Sequence, residues 1–411
     1  SLFGNDKRWG HFWSAGIGWN VHKEHFMENV SALNQLRFRA STGYSGSQNF
    51  NSYQAIATYK YYNEIYDNII GSYLMSLANP DLQWQKTQDN NVGLDLSVFG
   101  RVDLTFDYYI KNTSNLLTPV TLPPSAGFSS YTENLGKSQN KGFELQASVR
   151  AINNSDQDLH LNVFASLMHN TNKIKEINEA LSSMNDSKDS DKGLNYDQDT
   201  KEKTTKPSVR YAEGQSMSAI WAVRSLGIDP GTGNELFLTK DGDLTYTWDS
   251  DDQVVCGDEL PKYTGTFGFN LDWKGFSVNT SFYYRLGGQM YNQTLVDKVE
   301  NCDMNYNVDH RVYTGRWTTP GQKAEFKKMT DPNYFTRPTS RFVQDLSELQ
   351  MTSLNIGYDF RNCKFMQKGI IERLKLSFYM NDVFRLSTVK TERGTDYPFA
   401  RSFSFQLQAT F

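Results

Sequence analysis

Two short segments carry side chains that could hold a metal ion. In the run HKEH, His22, Glu24 and His25 supply two imidazoles and a carboxylate. A zinc site on a helix needs its two histidines four residues apart, which this run lacks, so a solvated turn is the preferred interpretation. Carboxylates also recur in the stretch 240–259, and hard cations such as Ca²⁺ take several such oxygens from a flexible loop. The calcium ligands predicted there, against the alternative of a solvated loop, are Asp241, Asp243, Asp249 and Asp251.

Catalytic groupings are not recognisable in the sequence. The six histidines are scattered, and none completes a Ser-His-Asp or Cys-His pattern. Three cysteines, Cys256, Cys302 and Cys363, do not make a disulfide framework, although a bridge between Cys256 and Cys302 stays open. We therefore predict that the protein is not an enzyme and that it needs no cofactor beyond the calcium ion considered above.

Two tyrosine-rich segments, 53–68 and 290–317, could bind a partner or a substrate. An exposed aromatic ring offers a flat apolar face with a polar tip, which suits stacking on sugars or docking of a protein. Packing within the loops is the alternative, because long loops need small cores of their own. The candidate contact residues in these segments are Tyr59, Tyr61, Tyr62, Tyr66, Tyr306, Tyr313 and Trp317.

These candidates lie between segments in which polar and apolar residues alternate. In VDLTFDYYI, for example, Leu104 and Phe106 share one face, while Asp103 and Asp107 share the other. Such alternation predicts strands with one apolar and one wet face. We count eleven of these strands, and several are 10–14 residues long, which exceeds the roughly 5–6 residues of an average globular strand.

The connectors between the predicted strands alternate in length. Short ones follow Val21, Phe99, Ile152, Trp273 and Phe360, and the long ones cover 46–83, 114–136, 171–262, 288–341 and 386–398. Short turns at one end and long loops at the other are typical of outer-membrane barrels. Aromatic residues also cluster near the strand ends, which predicts girdles at the two membrane interfaces formed by Trp9, Trp13, Trp19, Tyr108, Trp273, Tyr284 and Tyr358.

Composition agrees with a membrane barrel and argues against other classes. Only 38% of the 411 residues are hydrophobic while 14% are aromatic, which suits sheets that have one wet face. No apolar run approaches the roughly 18 residues of a membrane-spanning helix. The net charge of −4, without a basic stripe, argues against a nucleic-acid partner.

Several segments resemble the SusC-like TonB-dependent outer-membrane transporters of Bacteroidetes. The stretch ANPDLQWQKTQDNNVGLDLSVFGRVDLTFDYYIKNTSNLL resembles that family's Asn-Pro-Asp-Leu-x-Trp segment and its following hairpin. LPPSAGFSSYTENLGKSQNKGFEL is similar to its Asn-x-Gly-x-x-x-Asn-Lys-Gly-x-Glu-Leu signature. GIDPGTGNELFLTKDGDL and LPKYTGTFGFNLDWKGFSV follow in the family's order, and LSFYMNDVFRLS with the Phe-ending strand matches its close.

The resemblance implies a fold and a function. The fold is all-β: an antiparallel transmembrane barrel of 22 strands around a plug, with the eleven strands here as its C-terminal half. The function is import of oligomeric nutrients, glycans or oligopeptides, across the bacterial outer membrane, with a SusD-like surface lipoprotein as partner and TonB as energy source. A passive porin or adhesin barrel is the alternative. Where the family has an aromatic-rich stretch, this chain has AIWAVRSLG, and Trp221 is the candidate contact there.

What the chain lacks is also predicted from the resemblance. Residues 1–411 contain no TonB-binding segment, plug or first half of the barrel, so we expect them to belong to a longer polypeptide or to pair with a companion chain in the lipid bilayer. The final strand resembles the signal read by outer-membrane assembly machinery, which is carried by Phe403, Phe405 and Phe411.

Overall fold

The computed structural model describes residues 9–47, 57–67, 69–76, 83–121, 130–134, 136–178, 182, 185, 205–302, 305, 307–329, 335–363, 366, 371–390 and 400–411. Its strands, numbered in chain order, are β1 (Trp13–Asn20), β2 (Leu33–Ser47), β3 (Thr58–Tyr66), β4 (Ile69–Ser76), β5 (Gln85–Val98), β6 (Val102–Ser114), β7 (Leu117–Thr121), β8 (Ser130–Asn134), β9 (Lys137–Asn154), β10 (Leu159–Glu176), β11 (Ala219–Ile228), β12 (Glu235–Leu238), β13 (Leu244–Thr245), β14 (Gln253–Asp258), β15 (Tyr263–Trp273), β16 (Phe276–Tyr291), β17 (Val343–Asp359), β18 (Arg373–Ser387) and β19 (Phe403–Thr410).

Helical segments within the described residues are short and lie in the connectors. They are the 3₁₀ turns Val21–Lys23, His25–Met27, Ser250–Asp252, Ser340–Phe342 and Phe360–Asn362, the α-helical turns Gln293–Leu295 and Arg311–Thr314, and the π-helical turn Val296–Glu300. None of the helices in this part of the chain is both long and apolar enough to cross a membrane.

One antiparallel sheet of eleven strands dominates the molecule, as predicted. Its order is β1-β2-β5-β6-β9-β10-β15-β16-β17-β18-β19, so each strand pairs with the next long strand of the chain. The strands reach 18 residues in β9 and β10. The short turns lie at one end of this sheet, and the long connectors lie at the other, which we call the long-loop end.

The structure differs from the sequence analysis at two points. The alternation in WGHFWSAGIGWNV predicts a strand that starts at Trp9, but the first strand starts at Trp13, because residues 9–12 have no strand partner among the described residues. The long connectors also contain eight further strands, β3, β4, β7, β8 and β11 to β14. These strands are mostly short, with two to six residues in five of them, and short runs give little periodicity to detect.

Pairing register separates the side chains of the large sheet into two faces. Phe38, Leu94, Phe106 and Leu145 form one row across β2, β5, β6 and β9. The adjacent row in the same strands contains Arg39, Gly93, Asp107 and Glu144. Because side chains alternate across a strand, the sheet has an apolar face, which we call outward, and a polar face, which we call inward.

The inward face carries charges that pair across strands. The Arg39 guanidinium donates to Asp95 at 2.9 Å and to Asp107 at 3.0 Å, and it passes over Gly93 to reach the second carboxylate. A Cβ atom on residue 93 would lie 2.6 Å from Asp107 Oδ1 and 2.7 Å from Arg39 Cζ. Glycine at this position therefore leaves the space that the ion pair occupies.

The sheet is open within the described residues. Its first strand β1 pairs only with β2, and its last strand β19 pairs only with β18. All residues of both edge strands are exposed. The structure thus presents two unpaired strand edges and a large apolar face.

A second region, which we call the loop module, consists of the described residues in 205–262 and 288–342. It contains the sheet β13-β12-β11-β14 and a buried apolar core. The core residues are Ile220, Tyr291, Val296, Val299, Cys302, Val312, Phe326 and Phe342. Two long connectors therefore fold together at the long-loop end instead of extending separately.

Candidate functional site

A buried ion cluster joins the two connectors of the loop module. Arg341 Nη2 lies 2.9 Å from Glu235 Oε2 and 2.6 Å from Glu300 Oε1, and Thr336 Oγ1 donates to the same Glu300 oxygen at 3.1 Å. The side chain of Glu300 is 0% exposed and that of Glu235 is 4% exposed. One guanidinium therefore neutralises carboxylates from two separate segments of the chain.

The cluster shifts the pKa values of Glu235 and Arg341 so that each group favours its charged form. Burial would raise the pKa of the Glu235 carboxyl, but the charge and hydrogen bonds of Arg341 outweigh burial and lower it below the ordinary value. Burial would likewise lower the pKa of Arg341, and the two carboxylates outweigh it and raise the pKa further. Glu235 and Arg341 are therefore both charged at neutral pH.

Arg316 forms a second cross-link inside the loop module. It is 3% exposed and donates to the backbone carbonyls of Val312 at 3.1 Å, Lys327 at 2.9 Å and Val299 at 2.6 Å. One guanidinium thus cross-links the backbone at three separate points of the chain. Sequence analysis missed both Arg316 and Arg341, because no local pattern marks a residue that binds distant carbonyls or carboxylates.

The turn that follows β11 shows that Trp317 serves packing within the loops. Asp229 accepts hydrogen bonds from Thr232 Oγ1 at 2.6 Å and Tyr246 OH at 2.9 Å, which keep its pKa below the ordinary value. The indole N–H of Trp317 donates to the Pro230 carbonyl at 2.9 Å, and its ring lies against Gly233. Trp317 is therefore committed to this turn.

Three tyrosines of the β3–β4 hairpin are accessible among the predicted contact residues. Tyr59, Tyr61 and Tyr62 are 66%, 71% and 55% exposed. The Tyr62 and Tyr73 rings lie 4.9 Å apart, and Tyr66 is the last residue of β3. Exposed tyrosines on a hairpin of this kind can contact a partner without rearrangement of the loop.

Three further predicted contact residues have different environments. Tyr313, in the helical turn Arg311–Thr314, is 63% exposed. Trp221 is half-buried in β11, where it pairs with Val255. Tyr306 lies outside the described residues. Of the eight candidates, Tyr59, Tyr61, Tyr62 and Tyr313 thus have side chains available at the surface.

The predicted calcium ligands are not gathered at one point. Asp249 accepts from the backbone N–H of Asp251 at 2.9 Å and starts the turn Ser250–Asp252. The neighbouring Asp252 accepts from the backbone N–H of Lys240 at 2.9 Å, while Asp241 and Asp243 are exposed. The described part of the chain contains no group of three or more His, Cys, Asp or Glu side chains that could hold a metal ion. Calcium binding therefore stays a prediction.

The HKEH run forms a short connector with separate contacts. His22 Nδ1 lies 3.1 Å from the Leu36 carbonyl oxygen, Glu24 accepts from the Trp19 indole at 2.8 Å, and His25 lies 3.0 Å from Glu28. The turn interpretation fits these contacts. The bridge between Cys256 and Cys302 is not formed, since both are free thiols and Cys302 belongs to the core of the loop module.

The predicted girdle residues within the strands lie at outward positions of the large sheet. Trp13 contacts Tyr44 towards the long-loop end, with ring centroids 5.8 Å apart. Trp19 lies near the first short connector and Trp273 at a short turn. Of the remaining members, Trp9 precedes β1 and Tyr108 lies in β6. The Tyr284 hydroxyl donates to the Ser166 carbonyl at 2.8 Å. The Tyr358 ring lies 4.4 Å from that of Phe276.

The last strand completes the outward face at one edge of the sheet. The ring centroids of Phe403 and Phe405 lie 6.0 Å apart, and both rings contact that of Phe378 in β18. Phe405 is 67% exposed and Phe411 is 77% exposed. Large aromatic side chains in such number at the surface require an apolar environment around them.

Comparison with known proteins agrees with the architecture. Residues 1–301 match the family described as "TonB dependent receptor-like, beta-barrel". Over 93% of its length the chain is 25% identical to TonB-dependent receptor P39 of Formosa agariphila. Over 100% of its length it is 25% identical to TonB-dependent receptor SusC of Bacteroides thetaiotaomicron. It spans only 40% of the first relative and 41% of the second.

Solved structures show the same fold. The RagAB peptide importer in the 'open-open' state superposes with a TM-score of 0.77 at 22% identity, over 100% of this chain and 44% of that chain. The structure of the RagAB peptide transporter gives a TM-score of 0.75 at 21% identity, over 94% of this chain and 41% of that chain. The eleven-stranded sheet therefore has the fold of one section of the larger chains in those structures.

Proposed function

Because the chain belongs to the TonB dependent receptor-like β-barrel family, we propose that it forms the C-terminal half of the wall of an energised outer-membrane importer. The protein is an outer-membrane β-barrel protein, as SusC and its relatives are. One observation carries the proposal: an open eleven-stranded sheet with an apolar outward face and a charged, amide-rich inward face. A wall of this kind separates lipid from a watery lumen.

Closure of the barrel needs strands from the rest of the protein. The free edges of β1 and β19 present unpaired N–H and C=O groups, and such groups cannot stay unpaired in hydrocarbon. In this proposal each edge pairs with a strand of the remaining half, and the inward face surrounds a plug. TonB, acting on a segment outside residues 1–411, then remodels the plug and opens a passage.

A SusD-like surface lipoprotein is the proposed partner at the long-loop end. Tyr59, Tyr61 and Tyr62 of the β3–β4 hairpin support this, because they are exposed and carry both apolar faces and hydroxyl groups. Tyr313 adds a further exposed ring on the loop module. The lipoprotein would capture an oligosaccharide or oligopeptide and cover the barrel. The RagAB structures are described as those of a peptide transporter and a peptide importer, which supports an oligopeptide over an oligosaccharide as the substrate.

Two remaining proposals concern insertion into the membrane. The predicted girdle aromatics would anchor the barrel at the two headgroup regions, which the exposure of Trp9, Trp13, Trp19 and Trp273 supports. The final strand, with Phe403, Phe405 and Phe411, would be read by the assembly machinery of the outer membrane. The exposure of these three phenylalanines supports this second proposal.

Copurification tests the partner proposal. The full-length protein, tagged and extracted in mild detergent, is expected to bring down a surface lipoprotein and a bound oligomer, both identified by mass spectrometry. Tyr59→Ser/Tyr61→Ser should lower the lipoprotein yield several-fold, whereas Lys60→Ser/Asn63→Ser in the same hairpin should not. Absence of any lipoprotein from the wild-type preparation would contradict the proposal.

Dependence on TonB separates import from the alternative of a passive porin or adhesin. Uptake of the oligomer identified above is measured in cells with and without TonB. An energised importer loses uptake when TonB is deleted, because the plug then stays closed. Equal uptake in both strains would favour the passive barrel.

A further inference from the structure

The outward face changes character abruptly near the long-loop end of β5, β6, β9 and β10. The last apolar row contains Val92, Tyr108, Phe143 and His169. Two residues further along each strand, the row contains Asn90, Ile110, Lys141 and Thr171, and the row after that contains Gln88, Asn112, Gln139 and Lys173. The apolar band therefore ends at a surface of amides and lysines.

Four lysines on these strands form what we call the rim patch: Lys86, Lys137, Lys141 and Lys173. All four are exposed. Lys137 pairs with Glu176 at 2.5 Å; among the described residues Lys86, Lys141 and Lys173 have no acidic side chain within ion-pair distance. The Lys141 ammonium lies 6.0 Å from the centroid of the Tyr108 ring, at the boundary of the apolar band.

The rim patch exists at one end of the strands only. Towards the short turns, outward positions of the same four strands carry no lysine and end in Asn154 on β9; the others include the aliphatic residues Leu96, Val98, Val102, Leu104, Ala147, Val149, Leu159 and Leu161. A general preference for lysine at membrane interfaces would mark both ends. The asymmetry indicates a ligand that is present in the leaflet at the long-loop end.

The dimensions of the rim patch suit a phosphorylated headgroup. Lys86 and Lys137 share a row and are separated by one strand, which places their backbones about 10 Å apart. Lys141 and Lys173 are diagonal neighbours on adjacent strands, about 7–8 Å apart. The Gln139 amide between them donates to Asn112 Oδ1 at 2.8 Å. Ammonium groups at these separations can contact one or two phosphate groups from several sides.

We propose that the rim patch binds the phosphate groups of a lipid in the outer leaflet of the outer membrane. The acyl chains of this lipid would lie against Phe106 and Phe143, whose rings stack at 6.2 Å directly below the patch. The lysines would neutralise the phosphate, and the amides would hydrogen-bond to neighbouring hydroxyl groups. This site faces lipid instead of the lumen, so it is independent of the transported substrate.

Lipid retention by full-length protein tests the proposal. Wild-type protein is reconstituted in nanodiscs of phosphatidylcholine with phosphorylated lipid A, re-extracted in mild detergent, and analysed for bound lipid A by native mass spectrometry. We expect Lys141→Gln/Lys173→Gln to retain several-fold less lipid A than wild type. The matched control is Lys240→Gln/Lys323→Gln on the loop module, which makes the same charge change at exposed positions and should retain the wild-type amount.

Two further retention measurements identify which chemical groups of the lipid are bound. Dephosphorylated lipid A should be retained poorly by every variant, and inorganic phosphate should fail to displace the phosphorylated lipid, because it lacks the acyl chains. Equal retention by wild type and Lys141→Gln/Lys173→Gln would overturn the proposal. Displacement by inorganic phosphate alone would overturn it as well, since the site would then recognise a free anion and not a lipid.

Discussion

The large sheet and the loop module bury apolar side chains in opposite ways. In the large sheet, Phe405 and Leu407 are each 67% exposed on the outward face, and their apolar surroundings must come from lipid. In the loop module, Val296, Val299 and Phe342 are almost completely buried within the protein. One region is therefore stable only inside a membrane, whereas the other carries its own core in water.

Charges follow the same division. On the inward face of the large sheet, the Arg39 side chain is 31% exposed and pairs with two partly hydrated carboxylates, so each pair contributes little in water. In the loop module, Arg341 and its carboxylates are almost entirely withdrawn from solvent. Loss of one member there leaves a buried charge uncompensated, which is expensive. Sensitivity to mutation should therefore differ between the regions.

The largest expected effect is that of Arg341→Ala. Two buried carboxylates would lose their counter-charge, which costs about 3–5 kcal/mol in comparable clusters. Limited proteolysis should then cleave the loop module much faster, while the large sheet keeps its resistance. Arg224→Ala, at an exposed position of β11, is the control and should leave proteolysis unchanged. Equal cleavage rates for both variants would show that the cluster does not hold the module together.

A lysine on the outward face should have the next largest effect. Phe106→Lys places a charge near the middle of the apolar band, which costs about 2–4 kcal/mol in membrane barrels. Thr105→Lys, one residue earlier in β6, points to the inward face and should cost about 0.5 kcal/mol or less. Urea unfolding of the full-length protein from lipid vesicles measures both. Similar losses for the two variants would contradict the assignment of the faces.

Acidification should destabilise the loop module, but by less than Arg341→Ala does. The pKa of Glu235 is lowered from the ordinary value of 4.5, so the carboxylate stabilises the folded state fully at pH values above 4.5. This contribution is lost as the pH falls through the lowered pKa. Protonation removes one charge and leaves Arg341 paired with Glu300, so the effect is smaller. Hydrogen exchange at pH 7 and below pH 4, with each rate divided by the intrinsic amide rate at that pH, should show lower protection of the module at acid pH.

The Arg341→Ala variant provides the control for this pH dependence. Without the guanidinium, burial of Glu235 is opposed only by its hydrogen bonds to Ser225 and Thr339, so its pKa rises and protonation destabilises the module less than in the wild type or stabilises it. Relative to the intrinsic amide rate, the module of the variant should therefore lose less protection at acid pH than the wild type does, or gain protection. An equal loss of protection in both proteins would exclude the cluster as its origin.

The two regions also differ in how far the sequence predicts them. The eleven strands were predictable because alternation such as Leu104, Thr105, Phe106 and Asp107 is a local signal. The ion cluster was not, because Glu235 and Glu300 meet Arg341 from 106 and 41 residues away. Trp317 was predicted as a contact residue, yet sequence alone does not distinguish an exposed aromatic from one that packs on a neighbouring turn.

The most direct test of the central claim is the accessibility of successive residues in β6. Nitroxide labels are attached at 103 to 108 in full-length protein that carries Cys256→Ser, Cys302→Ala and Cys363→Ser, reconstituted in lipid vesicles. If this sheet is a barrel wall, labels at 104, 106 and 108 collide mainly with oxygen in lipid, and labels at 103, 105 and 107 collide mainly with a water-soluble nickel chelate. Equal access of the chelate to all six positions would contradict the account.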